Sequence, residues 1–430
     1  MQFPNGSPVE YKTAILEAIK EAEPKSVPES EKQTWQPADL QTIESVLSSF
    51  GAENDASYAR QFCWLLFERP EEQWSETTLR RLIEYATRHS NPEGDEPRRR
   101  RAGSSSEASE VTVNDLETEA LNCVRGVAAL AIGEQLQAKP ELVGFFREAI
   151  KQLCTDPHPA VLMAAIRMCL SLLQIDEDFS IACFLRAVSL DLRVAASRRA
   201  PYYFNVGMIG HREQFTPIVT QMLKAEHDEV TRQGAMEVAA RWLFHDFFSD
   251  ELQECLHGSV VHRRGIAEIA ADFAADADYF DKCRVLIESL VEDDDAEVRS
   301  ALSRFARKPD VLLLPGGVDL MTVFVKSKAF LDNPSVLVYA LREYTGSLLP
   351  FADVLLTICD QFVGPLRETS RDPRKRGMHD VSQFQEILLR LYEQAVDAGD
   401  AIIGNRCLDA WDALFEGRVG MTQELSRALG

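Results

Sequence analysis

The sequence lacks the short motifs that mark several enzyme classes. It contains no Gly-Lys dipeptide, hence no GxxxxGK[ST] phosphate-binding loop, no HExxH zinc motif and no GxSxG nucleophile elbow. No two cysteines have the CxxC spacing of a zinc or redox site. The closest histidines, His257 and His262, would point to different faces of a helix. We therefore predict no cofactor, no metal and no catalytic residue, and we expect a protein that is not an enzyme.

Basic residues are scarce relative to acidic ones. The 430 residues include 46 Lys and Arg against 68 Asp and Glu, for a formal net charge of −22. Such an excess of negative charge repels phosphate backbones, so we do not expect nucleic acid as a partner. Long apolar runs are also missing, and the segment from Met1 to Gly6 has none of the features of a secretion signal. The sequence thus predicts a soluble protein that does not enter membranes.

Nine cysteines are scattered along the chain, most of them in apolar helical contexts. An odd number of scattered cysteines in a chain of this length does not indicate a disulfide framework. We expect small buried side chains in a reducing compartment, and hence a cytoplasmic protein.

Apolar residues recur at intervals of three and four almost everywhere, whereas alternating strand patterns are missing. The sequence therefore predicts an all-α protein. Residues 1–90 form an N-terminal helical segment, and residues 91–113, rich in Arg and Ser, are expected to be a flexible loop. A second polar, basic stretch covers residues 367–380. The N-terminal helices are predicted at residues 10–22, 38–50, 58–67 and 76–88.

A repeat runs through residues 114–430. Short turns followed by a valine recur, and these valines lie 33, 36, 31, 37 and 38 residues apart. One helix pair per period of this length is typical of HEAT and armadillo repeats. We therefore predict a right-handed α-solenoid of HEAT/armadillo-like helix pairs, closed by a terminal cap that includes Asp409 and Trp411. The valines are Val161, Val194, Val230, Val261, Val298 and Val336.

Two kinds of residue accompany the valines. An Asp or Asn in the turn is expected to cap the following helix, and the acidic run Glu292 to Asp295 is one such turn. Small residues follow the valine, Gly265 among them, and would let helices of adjacent repeats approach closely.

Three passages carry a resemblance to a known family. They are LNCVRGVAA at residues 121–129, DPHPAV at residues 156–161, and a C-terminal run that includes residues 388–395 and 406–420. They resemble the C-terminal helical-repeat region of bacterial antiviral STAND NTPases (Avs-like), and the resemblance extends from about residue 39 to residue 430. In that family the repeats are a sensor that captures a phage protein, a central NTPase oligomerises, and an N-terminal effector attacks nucleic acid or other targets.

The resemblance implies a protein-recognition module that binds a phage protein and triggers defence. Because the phosphate-binding loop is absent, an NTPase or effector domain would act in cis or in trans. A first alternative is a generic HEAT-repeat scaffold or regulatory subunit for a host protein. A second is a HEAT-like enzyme acting on nucleic acid, suggested by Arg232, Arg241 with Trp242, and Asp246, and disfavoured by the net charge.

Arginine and aromatic side chains supply most hot spots in protein interfaces, and a solenoid presents them on an extended face. The alternative for each residue is that aromatics fill the core and arginines pair with Asp and Glu between repeats. The run of four loop arginines is either solvated or a contact for an acidic partner. The protein-binding candidates are Arg193, Arg198, Arg199, Tyr202, Tyr203, Phe204, Arg232, Trp242, His262, Arg263 and Arg264, with Arg98, Arg99, Arg100 and Arg101 as loop candidates.

Overall fold

A computed structural model shows a helical protein. It describes residues 8–20, 38–51, 53–94, 110–363 and 377–416, and within these ranges the chain is all-helical without a β-strand, as the periodicity predicts. The chain divides into two compact units, with the division after Val230. Among the described helices, none combines the length and the apolar composition needed to cross a lipid bilayer.

The first unit contains eleven α-helices among its described residues, with short 3₁₀ helices between some of them. The four N-terminal helices start and end within two residues of the predicted boundaries wherever those boundaries are described. The helices are α1 (Pro8–Lys20), α2 (Leu40–Phe50), α3 (Ala56–Glu68), α4 (Glu76–Arg88), α5 (Val113–Ala120), α6 (Val124–Ala138), α7 (Val143–Leu153), α8 (Pro159–Cys169), α9 (Glu177–Leu190), α10 (Ala200–Gly210) and α11 (Arg212–Met222).

Helices α3 and α4 pack against α6 in the same unit. The amide of Gln135 in α6 donates to the carbonyl of Leu66 in α3 over 2.8 Å. The predicted loop starts in non-helical residues, where the Asn91 side chain accepts a hydrogen bond from the amide of Val124 at the start of α6. Its last residue, Val113, is the first residue of α5. Residues 95–109, and with them the four loop arginines, lie outside the described residues.

A helix, α12 (Asp228–His245), runs across the division, and the second unit continues from it. The predicted polar stretch at 367–380 is helical from residue 377, and residues 364–376 lie outside the described part. The helices are α13 (Ser249–Leu256), α14 (Val260–Phe273), α15 (Phe280–Leu290), α16 (Ala296–Ser303), α17 (Gly317–Val325), α18 (Lys328–Asp332), α19 (Ser335–Glu343), α20 (Ala352–Val363), α21 (Gly377–Asp397) and α22 (Ala401–Glu416).

The valine repeat marks helix starts. Five of its valines are the second or third residue of α8, α12, α14, α16 and α19, and of these only Val261 is not buried. Val194 is the exception in local structure, because it lies in a 3₁₀ helix, Leu192–Ala196. The extended backbone of Ser197 ends that turn, and α10 begins only at Ala200.

Gly265, one of the predicted small residues, does let two helices approach closely. A Cβ atom built on Gly265 of α14 would lie 2.5 Å from the carbonyl oxygen of Arg232 in α12. In the first unit, a Cβ on Gly133 of α6 would lie 3.0 Å from the Cα of Met168 in α8. The contact at Gly265 is closer than a methyl group tolerates, so the pairing of α12 with α14 depends on the absence of a side chain. The contact at Gly133 is tight, and a methyl group there would require Met168 to shift by a few tenths of an ångström.

Candidate protein-binding surface

Three of the predicted binding arginines are ion-paired between helices of the second unit. Arg232 contacts Glu268 over 2.6 Å, Arg263 contacts Asp293 over 2.6 Å, and Arg264 contacts Glu297 over 2.8 Å. These pairs connect α12 to α14 and α14 to the turn and first residues of α16. The guanidinium groups therefore have acidic partners inside the unit, as the alternative interpretation of the sequence predicts.

One type of pair recurs along the chain. An arginine near the start of a helix contacts an aspartate that lies three residues before a later helix in the same unit, and the two partners are 31, 30 or 33 residues apart. We name these contacts the Arg–Asp ladder. In the first two pairs Nε and one Nη each bind a carboxylate oxygen, the bidentate geometry that arginine favours. The ladder consists of Arg125–Asp156, Arg263–Asp293 and Arg299–Asp332.

The acidic turn before α16 combines this pairing with the predicted cap. The side chain of Asp295 accepts hydrogen bonds from the amides of Glu297 and Val298, over 2.8 and 3.4 Å. Asp293 in the same turn is the ladder partner of Arg263. The prediction of a capping role is thus confirmed for Asp295, while Asp293 links two helices.

The end of α12 contains the predicted Trp242, which is half-buried. The ammonium group of Lys282 lies 5.2 Å from the centre of its ring and donates hydrogen bonds to the carbonyls of Trp242 and Leu243. The lysine thereby satisfies carbonyls at the C-terminus of the helix. In α14, the His262 ring nitrogen Nδ1 lies 2.8 Å from the hydroxyl of Ser259, close to the start of the helix.

Helix α12 also contains a buried acidic side chain next to a buried basic one. Glu237 and Arg241 are both 3% exposed, and their closest side-chain atoms are 3.6 Å apart. Burial raises the pKa of Glu237 to about 7, although the charge of Arg241 acts in the opposite direction. Desolvation lowers the pKa of Arg241.

The candidates of the first unit surround α10. The guanidinium group of Arg193 binds Asp191 over 2.6 Å, and Arg198 lies 3.3 Å from Glu117. Arg199 immediately precedes the helix and is half-exposed. Tyr202 is 53% exposed and points out of the fold.

Tyr203 and Phe204 are fully buried, so the binding role predicted for them is wrong. The Tyr203 ring stacks on Phe184 with centroids 4.3 Å apart, and its hydroxyl donates to the carbonyl of Ile166. Phe204 packs edge-to-face on Phe215. Consecutive aromatics on a helix point about 100° apart, so one tyrosine faces outward while its neighbours fill the core.

The outer side of α10 carries a row of residues at helical spacing. Tyr202 and Asn205 are exposed, Val206 is half-buried, and Ile209 is 73% exposed. Positions i, i+3, i+4 and i+7 share one face of a helix, so these side chains are neighbours. We name these four residues the α10 surface.

Acidic side chains lie at the C-terminal end of the α10 surface. His211 directly follows the helix, and its Nε2 atom lies 3.5 Å from Asp178 and 4.0 Å from Glu177. The side chain of Asp178 is 89% exposed, and Glu213 in the next helix is also exposed. A largely apolar row with carboxylates at its C-terminal end can hold an apolar side chain of a partner that has a basic residue next to it.

Sequence reasoning missed Ile209 and the acidic side chains of Glu177, Asp178 and Glu213, which we name the acidic rim. The signal for Ile209 is its spacing of seven from Tyr202 in a helix that has no charged residue and is apolar on both faces. The rim has no such signal, because Asp178 and His211 are brought together only by the packing of α9 near the end of α10.

The second unit has an open cleft of about 780 Å³ next to α19. Tyr339 is 42% exposed there, and the guanidinium carbon of Arg342 lies 5.8 Å from its ring centre. Arg307, Asn333 and Glu343 contribute polar atoms to the cleft. It has tyrosine next to arginine, but its lining mixes charges of both signs.

No protein-family model matches the chain, and the curated proteins compared with it include no similar sequence. The resemblance to the sensor region of STAND NTPases therefore stays a prediction.

Proposed function

We propose that the chain is a protein-recognition module, built as a right-handed α-solenoid of HEAT-like helix pairs, and that it binds its partner through the α10 surface. In this proposal the chain itself performs no chemistry. The observation that carries it is the outward row from Tyr202 to Ile209 on a helix whose opposite face is filled by Tyr203 and Phe204. Tyr202 and Ile209 are large apolar side chains exposed on one face, and exposed apolar patches mark interaction sites.

The energetics suit a protein contact. Covering one exposed isoleucine such as Ile209 gains about 1.5–3 kcal/mol, and tyrosine is enriched among interface hot spots. Because Tyr203 and Phe204 on the inner side of α10 both pack against the ring of Phe184, the outer side chains of the helix are presented on a rigid element.

The charges at the C-terminal end of the α10 surface favour a basic partner. The rim formed by Glu177, Asp178 and Glu213, together with the net charge of −22, would attract a protein that places Lys and Arg around an apolar anchor. Following the resemblance, we propose a phage protein as this partner, with binding passed to an NTPase or effector domain in cis or in trans.

The Arg–Asp ladder supports the solenoid part of the proposal. A tandem repeat in which equivalent helices meet in the same way would produce both its recurrence at 30 to 33 residues and the valines at helix starts.

The test is affinity capture with the tagged full chain from bacteria during phage infection and from uninfected cells, followed by mass spectrometry. We expect a phage protein only in the infected sample. The affinity of the captured protein is then measured for the unmodified chain and for the variants I209D and Y202A. We expect I209D to lower this affinity about tenfold or more, which corresponds to about 1.4 kcal/mol.

The matched control is V285D, which introduces the same charge at another exposed β-branched residue. Val285 lies in α15 and is 60% exposed. V285D should bind as the unmodified chain does, and circular dichroism should show equal helicity for all three variants. Unchanged binding by both α10 variants would remove the α10 surface from the proposal. A host protein recovered equally from both samples would favour the scaffold alternative, and salt-sensitive recovery of nucleic acid would favour the enzyme alternative.

A further inference from the structure

Three cysteines converge in the core of the first unit. Cys154 directly follows α7, Cys169 is the last residue of α8, and Cys183 lies in the middle of α9. Their sulfur atoms all lie within 4.8 Å of one another, and those of Cys154 and Cys169 are 3.6 Å apart. The sequence separations of 15 and 14 residues match no short metal-binding motif, which is why the sequence predicts no metal here.

We propose that Cys154, Cys169 and Cys183 form a trigonal thiolate site for one thiophilic d¹⁰ cation, Cu(I) or Zn(II). The proposal is independent of the protein-binding role of α10.

The geometry suits such an ion. A metal with bonds of about 2.3 Å to three sulfurs in a plane holds them about 4 Å apart, from the usual zinc–sulfur distance. The one separation of 3.6 Å and the limit of 4.8 Å for the group each differ from this value by less than 1 Å, so an ion at the centre requires shifts of less than about 1 Å. Among the described residues no other His, Cys, Asp or Glu joins the group, so the protein supplies three ligands. Three soft thiolates select Cu(I), or Zn(II) with one further small ligand.

The surroundings suit a fixed, dry site. The three cysteines are between 0% and 5% exposed. The Ser180 hydroxyl donates a hydrogen bond to the carbonyl of Cys169 over 2.7 Å and thereby joins α9 to the end of α8. The ligands thus come from three elements whose relative positions are held by the core.

The charge of the bound form has partial compensation. Three thiolates with Cu(I) carry a net charge of −2, and with Zn(II) a net charge of −1. The positive side chains of Arg147 and Lys151 act electrostatically on Cys183, and they are also paired with Asp176 and Glu148. Binding displaces the thiol protons to solvent and changes no oxidation state.

The test uses the full chain, purified under reducing, oxygen-free conditions and titrated separately with Zn(II) and with Cu(I) against a competing chelator. We expect one ion per chain for at least one metal, and replacement of any of the three cysteines by alanine should lower the affinity about tenfold or more. The control is C283A, because Cys283 is buried in the second unit and belongs to no such group.

X-ray absorption on the loaded unmodified chain gives a readout that needs no variant. Three sulfur neighbours at about 2.3 Å are expected for Cu(I), and three sulfurs with one lighter atom for Zn(II). A folded chain that binds neither ion, a metal shell without sulfur, or equal affinity after all three cysteines are replaced in a chain of native helicity would each overturn the proposal.

Discussion

Replacing Arg125 by alanine tests the Arg–Asp ladder at its most buried pair. Arg125 and Asp156 have side chains that are 11% and 10% exposed. The guanidinium group donates to both carboxylate oxygens of Asp156, over 2.9 and 3.2 Å, and to the carbonyls of His89 and Pro92, over 2.8 and 2.9 Å. One side chain therefore joins the end of α4, the start of α6 and the turn before α8.

The expected cost follows from what R125A leaves behind. Asp156 would keep a nearly buried negative charge without its cation, and removing one partner of a buried pair costs about 3–5 kcal/mol. The two carbonyls that lose their donor act in the same direction. We expect the free energy of unfolding of the first unit to fall by about 3–5 kcal/mol. The assay is urea denaturation followed by circular dichroism.

The matched control is R198A in the same unit. Arg198 contacts Glu117 over 3.3 Å, but its side chain is 77% exposed, so we expect a loss below about 1 kcal/mol. The double variant R125M/D156L removes both charges and should recover part of the stability lost in R125A, because no charge is then left buried. A loss in R125A no larger than that in R198A would refute the reasoning, and so would a double variant less stable than R125A.

Two further predictions concern the second unit. G265A should lower the free energy of unfolding by about 1–3 kcal/mol, because the new methyl group meets the backbone of α12 at 2.5 Å. The control G144A lies in the first unit, at a glycine with no neighbour within 4 Å, and should be neutral or slightly stabilising. A urea midpoint for G265A equal to that of the unmodified chain would contradict this. Glu237 has a folded pKa of about 7, above its ordinary 4.5, so its carboxyl binds a proton more tightly in the folded state. The contribution of this carboxyl to the free energy of unfolding is fully present below pH 4.5. It is lost as the pH rises through 7, and the total loss is about 3 kcal/mol. E237Q should remove this fall from the pH dependence of the unfolding free energy, and superimposable pH profiles for the two proteins would show that the carboxyl does not titrate in this way.

Local features were predicted well from the sequence, because they depend on neighbours within one or two helical turns. The boundaries of α1 to α4, the valines at helix starts and the cap at Asp295 all follow from residue spacing and from the chemistry of helix ends. The need for a small residue at Gly265 follows from the same periodicity.

The candidate site was only partly predictable. The composition of the segment from Tyr202 to Phe204 favours an interface and a core equally, and a rotation of 100° per residue separates the two outcomes. Tyr202 is exposed, as its binding role requires, whereas Ile209 is recognised as a candidate only when the structure shows which side of α10 is buried.

The sequence alone determines that this chain is helical, acidic and periodic, since these properties need no knowledge of which helices touch. Only the tertiary structure decides which charges and sulfurs are neighbours. Arg125 and Asp156 are 31 residues apart, and Cys154 and Cys169 are 15 apart, yet each pair is in contact. Such contacts depend on the packing of one helix against another, and a small change in that packing angle would place different side chains together.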